Sequence, residues 1–265
     1  MKIVRFIDSE GTVRLGADPE GDRANEVIET GDGGYAPTGA QPRIERFLAP
    51  VAPYAVFCIG LNYRRHAAET GLDLPAYPVL FMKNPASVIG HGENIVLPES
   101  CRQNPQVDYE AELAVVIGRA ARNISEENAL EYVKGYTAGN DVSARWWQKN
   151  AGGGQWIRGK SFDTFCPLGP VMVTADEIPD PDSLDIACMV NNGIMQQSNT
   201  SDMIFSVSRL IAYLSEDTTL LPDTVIMTGT PEGVGFVRDP AVYLEPRDRV
   251  TVEIEKIGLL ENPVV

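Results

Sequence analysis

Asp108-Tyr109-Glu110-Ala111-Glu112-Leu113 leads into the apolar run Ala114-Val115-Val116-Ile117-Gly118, and no other stretch of the chain limits its fold so tightly. The run reads as a β-strand. Side chains two apart on a strand share a face, so Glu110 and Glu112 project side by side. Adjacent carboxylates repel, and the pair is costly unless a cation sits between them. A third acid, Asp141, follows in Gly139-Asn140-Asp141-Val142-Ser143. Three carboxylates from separate elements suit a hard divalent ion such as Mg²⁺, Mn²⁺ or Ca²⁺. Glu-x-Glu alone more often marks a solvated strand with polar ends, so the metal site depends on what the rest of the chain supplies.

At 265 residues the chain can bury a sizeable core, as one large domain or one with a small appendage. No apolar stretch is long enough to span a bilayer. The start, Met1-Lys2-Ile3-Val4-Arg5-Phe6, alternates like a first strand and lacks the features of a signal or transit peptide. The expected compartment is therefore the cytoplasm. A net charge of −15 argues against nucleic acid or an anionic membrane as partner. It also requires local cations wherever an anionic substrate is held. The four cysteines, Cys58, Cys101, Cys166 and Cys188, lack paired metal spacing, and Cys58 in Val56-Phe57-Cys58-Ile59 reads as a buried, reduced thiol. With only two histidines, His66 and His91, a His-rich zinc site is not expected.

Residues 1–52 read as a small N-terminal β-unit, with strands near 2–7 and 11–16 and a Gly31-Asp32-Gly33-Gly34 turn. Residues 53–265 follow as the larger unit. There the texture is short apolar strands at 55–60, 79–83, 94–97, 112–118, 168–173, 185–190, 224–229 and 249–255. Asn192-Gly193 predicts a hairpin turn. Ser125 is positioned to cap a helix over 126–134, with Glu126 and Glu127 in its first turn. Asp202 is positioned to cap a longer helix whose core face carries Met203, Val207, Leu210, Ile211 and Leu214. A short helix starting near Tyr63 carries His66 and Glu69. The pattern is strand-dominated α/β without parallel βαβ repetition.

His66 and Glu69, three apart on that helix, face each other, so the carboxylate can orient the imidazole as a general base. An incidental surface pair would have the same spacing. Lys160 stands before the Pro/Gly-rich turn of Ser161-Phe162-Asp163-Thr164-Phe165-Cys166-Pro167, and an ammonium there would add positive charge for an anionic substrate. Thr228-Gly229-Thr230-Pro231-Glu232-Gly233-Val234-Gly235 is a Gly-rich loop able to hold a carboxylate, but it lacks the Lys-Ser/Thr ending of a P-loop. No Gly-x-Gly-x-x-Gly follows a strand, which removes a Rossmann nucleotide enzyme. Lys83 ends another strand, and Arg145 and Gln148 follow Asp141 at near-helical spacing.

Five blocks in this order resemble the fumarylacetoacetate hydrolase family over roughly residues 54–265. They are Gly60-Leu61-Asn62-Tyr63-x-x-His66-x-x-Glu69, the Asp108–Gly118 segment, Asn140-Asp141-Val142-Ser143-Ala144-Arg145, Gly159-Lys160-Ser161-Phe162-Asp163 and Thr228-Gly229-Thr230-Pro231-x-Gly233-Val234-Gly235. The resemblance implies a mixed β-roll or sandwich of that family's C-terminal type, with a few flanking helices and a homodimeric assembly. It also implies Mg²⁺ or Mn²⁺, with Ca²⁺ also admitted, on Glu110, Glu112 and Asp141. His66, Glu69 and Lys160 would be catalytic, the first two as a dyad on a mobile lid. Arg145, Gln148, Thr230 and Lys83 would contact the substrate, although Asn84 departs from the proline that usually follows that lysine. Mitochondrial residence is also found in the family.

The chemistry implied is that of 2-oxo and β-dicarbonyl acids passing through a metal-bound enolate. Within the family, the resemblance carried by residues 159–170 and 198–200 implies oxaloacetate enol–keto tautomerisation. The alternatives are C–C hydrolysis of acylpyruvates and decarboxylation of oxaloacetate. A non-enzymatic scaffold would be expected to have lost a metal ligand or Lys160, and neither is lost.

Overall fold

The computed structural model describes residues 1–31 and 33–265. Asp32, in the expected Gly-rich turn, lies outside the described residues. The N-terminal segment forms strands β1 (Lys2–Asp8), β2 (Val13–Glu20), β3 (Arg23–Glu29), β4 (Tyr35–Pro37) and β5 (Ile44–Leu48). After β6 (Val56–Gly60) come helix α1 (Arg64–Thr70), then β7 (Val79–Lys83), β8 (Val88–Ile89), β9 (Val107–Asp108), β10 (Ala111–Ile117), β11 (Val133–Asn140) and β12 (Ser143–Ala144). Two short helices, α2 (Arg145–Asn150) and α3 (Ile157–Lys160), precede β13 (Cys166–Thr174), β14 (Asp185–Val190) and β15 (Gly193–Asn199). Helix α4 (Val207–Ser215), β16 (Val225–Met227), β17 (Arg249–Ile254) and β18 (Gly258–Pro263) complete the chain.

Among the described residues the main sheet has the order β4-β3-β2-β1-β13-β11-β10-β16-β6-β7, with β5 on β1 and β8 on β13. It is mixed: β16–β6 and β13–β8 run parallel and the other pairs antiparallel. A second sheet, β15-β14-β17-β18, packs over β10 and β11. β10 is buried along its whole length. Its Leu113, Val115 and Ile117 join Ile186, Cys188, Val250 and Val252 in one core, whereas Ala114 and Val116 join Cys58, Phe81, Leu168 and Met227 in another. The N-terminal strands are continuous with the main sheet, because β1 pairs with β13.

Several local expectations are corrected. Residues 126–132 form a 3₁₀ helix, and the Ser125 side chain does not cap it. α4 starts after Ser206, whose Oγ accepts from the Arg209 amide at 3.2 Å, not after Asp202. The Asp202 carboxylate instead accepts from the Arg65 amide at 3.0 Å, and Met203 bridges Tyr63, so this stretch is spent on the entry and first turn of α1. Val207, Leu210, Ile211 and Leu214 are buried as expected. Residues 94–97 form a single bridge, Ile95 to Val264, and no strand. The β14–β15 turn is Asn191-Asn192, one residue earlier than expected. Asn191 takes a left-handed φ of 56° and hydrogen-bonds Asp248 and the Arg249 amide. All four cysteines are buried and unpaired.

Candidate active site

The antiparallel register of β10 on β11 sets Ala111 opposite Asn140. The Asp141 amide donates to the Glu110 carbonyl at 2.9 Å, and the Glu110 amide donates to the Asn140 side chain at 3.0 Å. Glu110, Glu112 and Asp141 are thereby gathered with one oxygen from each within 4.8 Å of the others, all buried. Lys160, at the end of α3, places Nζ 2.7 Å from Glu110 Oε2 and 2.7 Å from Asp141 Oδ2. Arg145 opens α2 and donates from Nη1 to Glu110 Oε1 at 2.6 Å and from Nε to Asp108 Oδ2 at 2.9 Å. Lys83 pairs with Asp141 and donates to the Val142 carbonyl at 3.1 Å.

These three cations meet four buried carboxylates, Asp108, Glu110, Glu112 and Asp141, so one negative group is in excess. Among the described residues Glu112 is the one without an ion-pair partner; its Oε2 accepts the Gly229 amide at 2.8 Å. Burial, then Asp141 and Glu110, push its carboxyl well above the usual carboxylate range. Burial acts the same way on Glu110, but Arg145 and Lys160 outweigh it and hold that carboxyl far below the range. Burial would lower the Lys160 ammonium, yet Asp141 and Glu110 raise it. Three oxygen ligands with a surplus negative charge fit a hard divalent cation.

His66 lies on α1, and its Nδ1 is 2.7 Å from Glu69 Oε1. Glu69 Oε2 accepts the Gly233 amide at 2.9 Å, which latches α1 to the Gly-rich loop. The helix stops where Gly71 takes a left-handed φ of 69°, a conformation that disfavours side chains with a Cβ. Asn62 fixes the entry to α1, donating to the Thr228 carbonyl at 2.7 Å and accepting the Phe205 amide at 2.9 Å.

A cavity of about 310 Å³ opens on this cluster, lined by His66, Glu110, Glu112, Arg145, Gln148, Lys160 and Thr230 with apolar walls from Phe81, Trp156 and Phe236. Gln148 Oε1 accepts from Arg145 Nη1 at 3.1 Å, and Arg145 Nη2 is buried without a hydrogen bond. Lys83 does not line the cavity; it is held behind Asp141. Thr230 accepts from Gln196 Nε2 at 2.8 Å. A larger polar groove of about 630 Å³ over the second sheet contains none of the expected site residues.

Two contributors were not foreseen from the sequence. Gln196, buried on β15, also accepts the Ala111 amide at 2.9 Å and so clamps β10 to the Gly-rich loop. Asp108 receives Arg145 and the amides of Gly235 and Phe236 at 2.8 and 3.0 Å, orienting both the guanidinium and the loop. Asp108 heads the acidic strand motif, which was its only visible signal. Gln196 had none.

The family profile described as fumarylacetoacetate (FAA) hydrolase C-terminal matches residues 55–265. A curated relative named oxaloacetate tautomerase fahd2, mitochondrial, from Xenopus laevis, is 48% identical over 219 residues, covering 82% of this chain and 68% of the relative. The crystal structure of 5-carboxymethyl-2-hydroxymuconate delta-isomerase from Mycobacterium smegmatis is 38% identical with a TM-score of 0.87, covering 100% of this chain and 99% of that one. Fumarylpyruvate hydrolase from Pseudomonas aeruginosa, in complex with Mn²⁺ and pyruvate, is 31% identical with a TM-score of 0.73, covering 83% and 92%. The Xenopus, bovine and human relatives carry mitochondrial in their names, which overturns the cytoplasmic expectation. The alternation of the first residues describes strand β1, and a strand's pattern carries no information about compartment. Among the described residues no helix is long and apolar enough to cross a membrane.

Proposed function

The chain belongs to the fumarylacetoacetate hydrolase family, and we propose that it serves there as an oxaloacetate enol–keto tautomerase dependent on Mg²⁺ or Mn²⁺. The observation that carries this is an imidazole oriented by its own carboxylate, His66 on Glu69, opening on the same cavity as the Glu110–Glu112–Asp141 cluster. Glu110, Glu112 and Asp141 would hold the divalent ion, which supplies Lewis acidity toward the oxygens of a 2-oxo acid. The chain's own residues do the rest. Glu69 engages His66 Nδ1 and leaves Nε2 to take the enol hydroxyl proton and return one to C3, so that one O–H bond breaks and one C–H bond forms. Lys160 and Arg145 set positive charge against the substrate's negative charge, and Gln148 and Thr230 offer hydrogen bonds. Phe81, Trp156 and Phe236 limit water at the reacting carbons, where its attack would turn proton transfer into hydrolysis.

Residues 53–265 act as the catalytic unit in this proposal, since every residue lining the cavity lies beyond position 58, and residues 1–52 extend its sheet. We also take the protein to work as a homodimer, a state that light scattering will check. The likeness to fumarylpyruvate hydrolase favours acylpyruvate cleavage as the second reading. A panel with Mg²⁺ or Mn²⁺ separates them: enol-oxaloacetate decay at 260 nm or so, CO₂ release, and acylpyruvate loss. Tautomerisation should dominate, and faster acylpyruvate cleavage would replace it as the function.

A further inference from the structure

Among the described residues Lys149 is the one basic side chain of the cavity wall that forms no ion pair with a carboxylate. It follows Arg145 by one helical turn on α2, so the two share a face. Both rest on a single ring: the Arg145 guanidinium carbon is 4.5 Å and Lys149 Nζ 3.9 Å from the Phe236 centroid. That ring is itself fixed, because the Phe236 amide donates to Asp108 at 3.0 Å. Arg145 and Lys160 are already spent on Asp108, Glu110 and Asp141. Among the described residues the Lys149 side chain makes no hydrogen bond or ion pair and rests only on the Phe236 face. It is exposed at the cavity mouth, and partial burial, then the like charge of Arg145, lower its ammonium against the opposing charge of Asp108. A free cation held over the entrance to a cluster rich in carboxylates, in a chain of net charge −15, is placed to receive an anion.

We propose that Lys149 binds the distal carboxylate of a dicarboxylic 2-oxo acid and so selects diacids over monoacids that share the same reactive core. This rests on the 2-oxo-acid function proposed above. Phe236 carries the ammonium, and Arg145, one turn deeper, keeps its buried Nη2 without a partner among the described residues, so the cavity offers a donor to each end of a short diacid. Contact with the distal carboxylate is made equally in ground and transition states, so its loss appears in KM and not in kcat.

The test compares the parent with Lys149→Met and Lys149→Arg, in the presence of Mg²⁺, on oxaloacetate and on its 4-methyl ester, whose distal end is neutral. Lys149→Met should raise KM for oxaloacetate about three- to tenfold, the range for one partly screened ion pair, and leave kcat and the ester unchanged. Lys149→Arg should retain the parent's preference. An equal change for both substrates, or none for either, overturns the proposal. Calorimetry with 3,3-difluorooxaloacetate, which cannot enolise, and with pyruvate reads the same contact without turnover. The diacid alone should bind more weakly to Lys149→Met. If the parent fails to tautomerise oxaloacetate, the function proposed above falls, while Lys149 is still judged by this binding. A parent that binds the diacid no more tightly than pyruvate also overturns it.

Discussion

Glu112→Gln should remove most of the divalent-ion binding while leaving the metal-free protein at least as stable as the parent. The amide oxygen can still accept the Gly229 amide bond that Glu112 Oε2 accepts at 2.8 Å, and the shape is nearly unchanged. Only the charge is lost, and it is the charge in excess. Burial, then Asp141 and Glu110, raise the Glu112 carboxyl. A carboxyl raised in the folded state stabilises the fold in acid, and that contribution is lost as pH climbs through the folded value. The parent without metal therefore carries a cost near neutral pH that the glutamine lacks, and the difference should shrink on acidification toward pH 5 or so. With ion, the order reverses. At a free ion concentration about 100-fold above Kd the parent gains about 2.7 kcal/mol, roughly 5–10 °C in Tm for a chain of this size, and the variant should gain little. Scanning calorimetry with EDTA and with Mg²⁺ or Mn²⁺ reads both effects. An undiminished metal-induced rise in the variant refutes the three-carboxylate site, and a lower metal-free Tm at neutral pH refutes the charge reasoning.

Lys160→Met should weaken oxalate, a mimic of a 2-oxo-acid enolate, by about 1.5–3 kcal/mol, roughly 10- to 150-fold in Kd, by titration calorimetry at saturating Mg²⁺. Unchanged affinity would confine Lys160 to its contacts with Glu110 and Asp141. His66→Ala should slow the reaction about 10²–10⁴-fold with ion binding preserved. Glu69→Ala should cost less, and the double variant little more than His66→Ala, because the pair acts as a unit; an unimpaired His66→Ala enzyme would remove the dyad from the mechanism. His91 Nδ1 accepts the Glu261 amide at 3.1 Å, and burial lowers the imidazole despite the opposing charge of Glu261, so the fold prefers it neutral. Its contribution is lost as pH falls through the unfolded value of about 6.5, and thermal unfolding of His91→Gln should show a weaker dependence between about pH 8 and pH 5.5.

The parts of this protein that obey a local period could be read from its sequence. Alternation along the acidic run predicted that Glu110 and Glu112 share a face, and the two carboxylates do converge, although Glu110 stands one residue before β10; helical spacing paired His66 with Glu69. The apolar face of α4 followed from its three-to-four spacing, although its start moved to Ser206 while the Asp202 carboxylate was used by the first turn of α1. Order and composition of the motif blocks were enough to indicate the family. What a period cannot convey is which distant group answers a buried charge. Lys83 meets Asp141 across 58 residues, the Gln196 side chain accepts the Ala111 amide across 85, and Asp108 accepts the Gly235 amide across 127. Those partners are selected by sheet register and by the packing of the second sheet on the first. A lysine at a strand end reads the same whether it faces a substrate or, like Lys83, the back of a carboxylate. The sequence thus determined that three carboxylates and an imidazole three residues from a carboxylate exist, and only the tertiary structure decided which cations they consume and that, among the described residues, Lys149 is left without an ion pair. The physical reason is that a buried charge is matched through space, by whichever partner the fold brings within hydrogen-bonding distance.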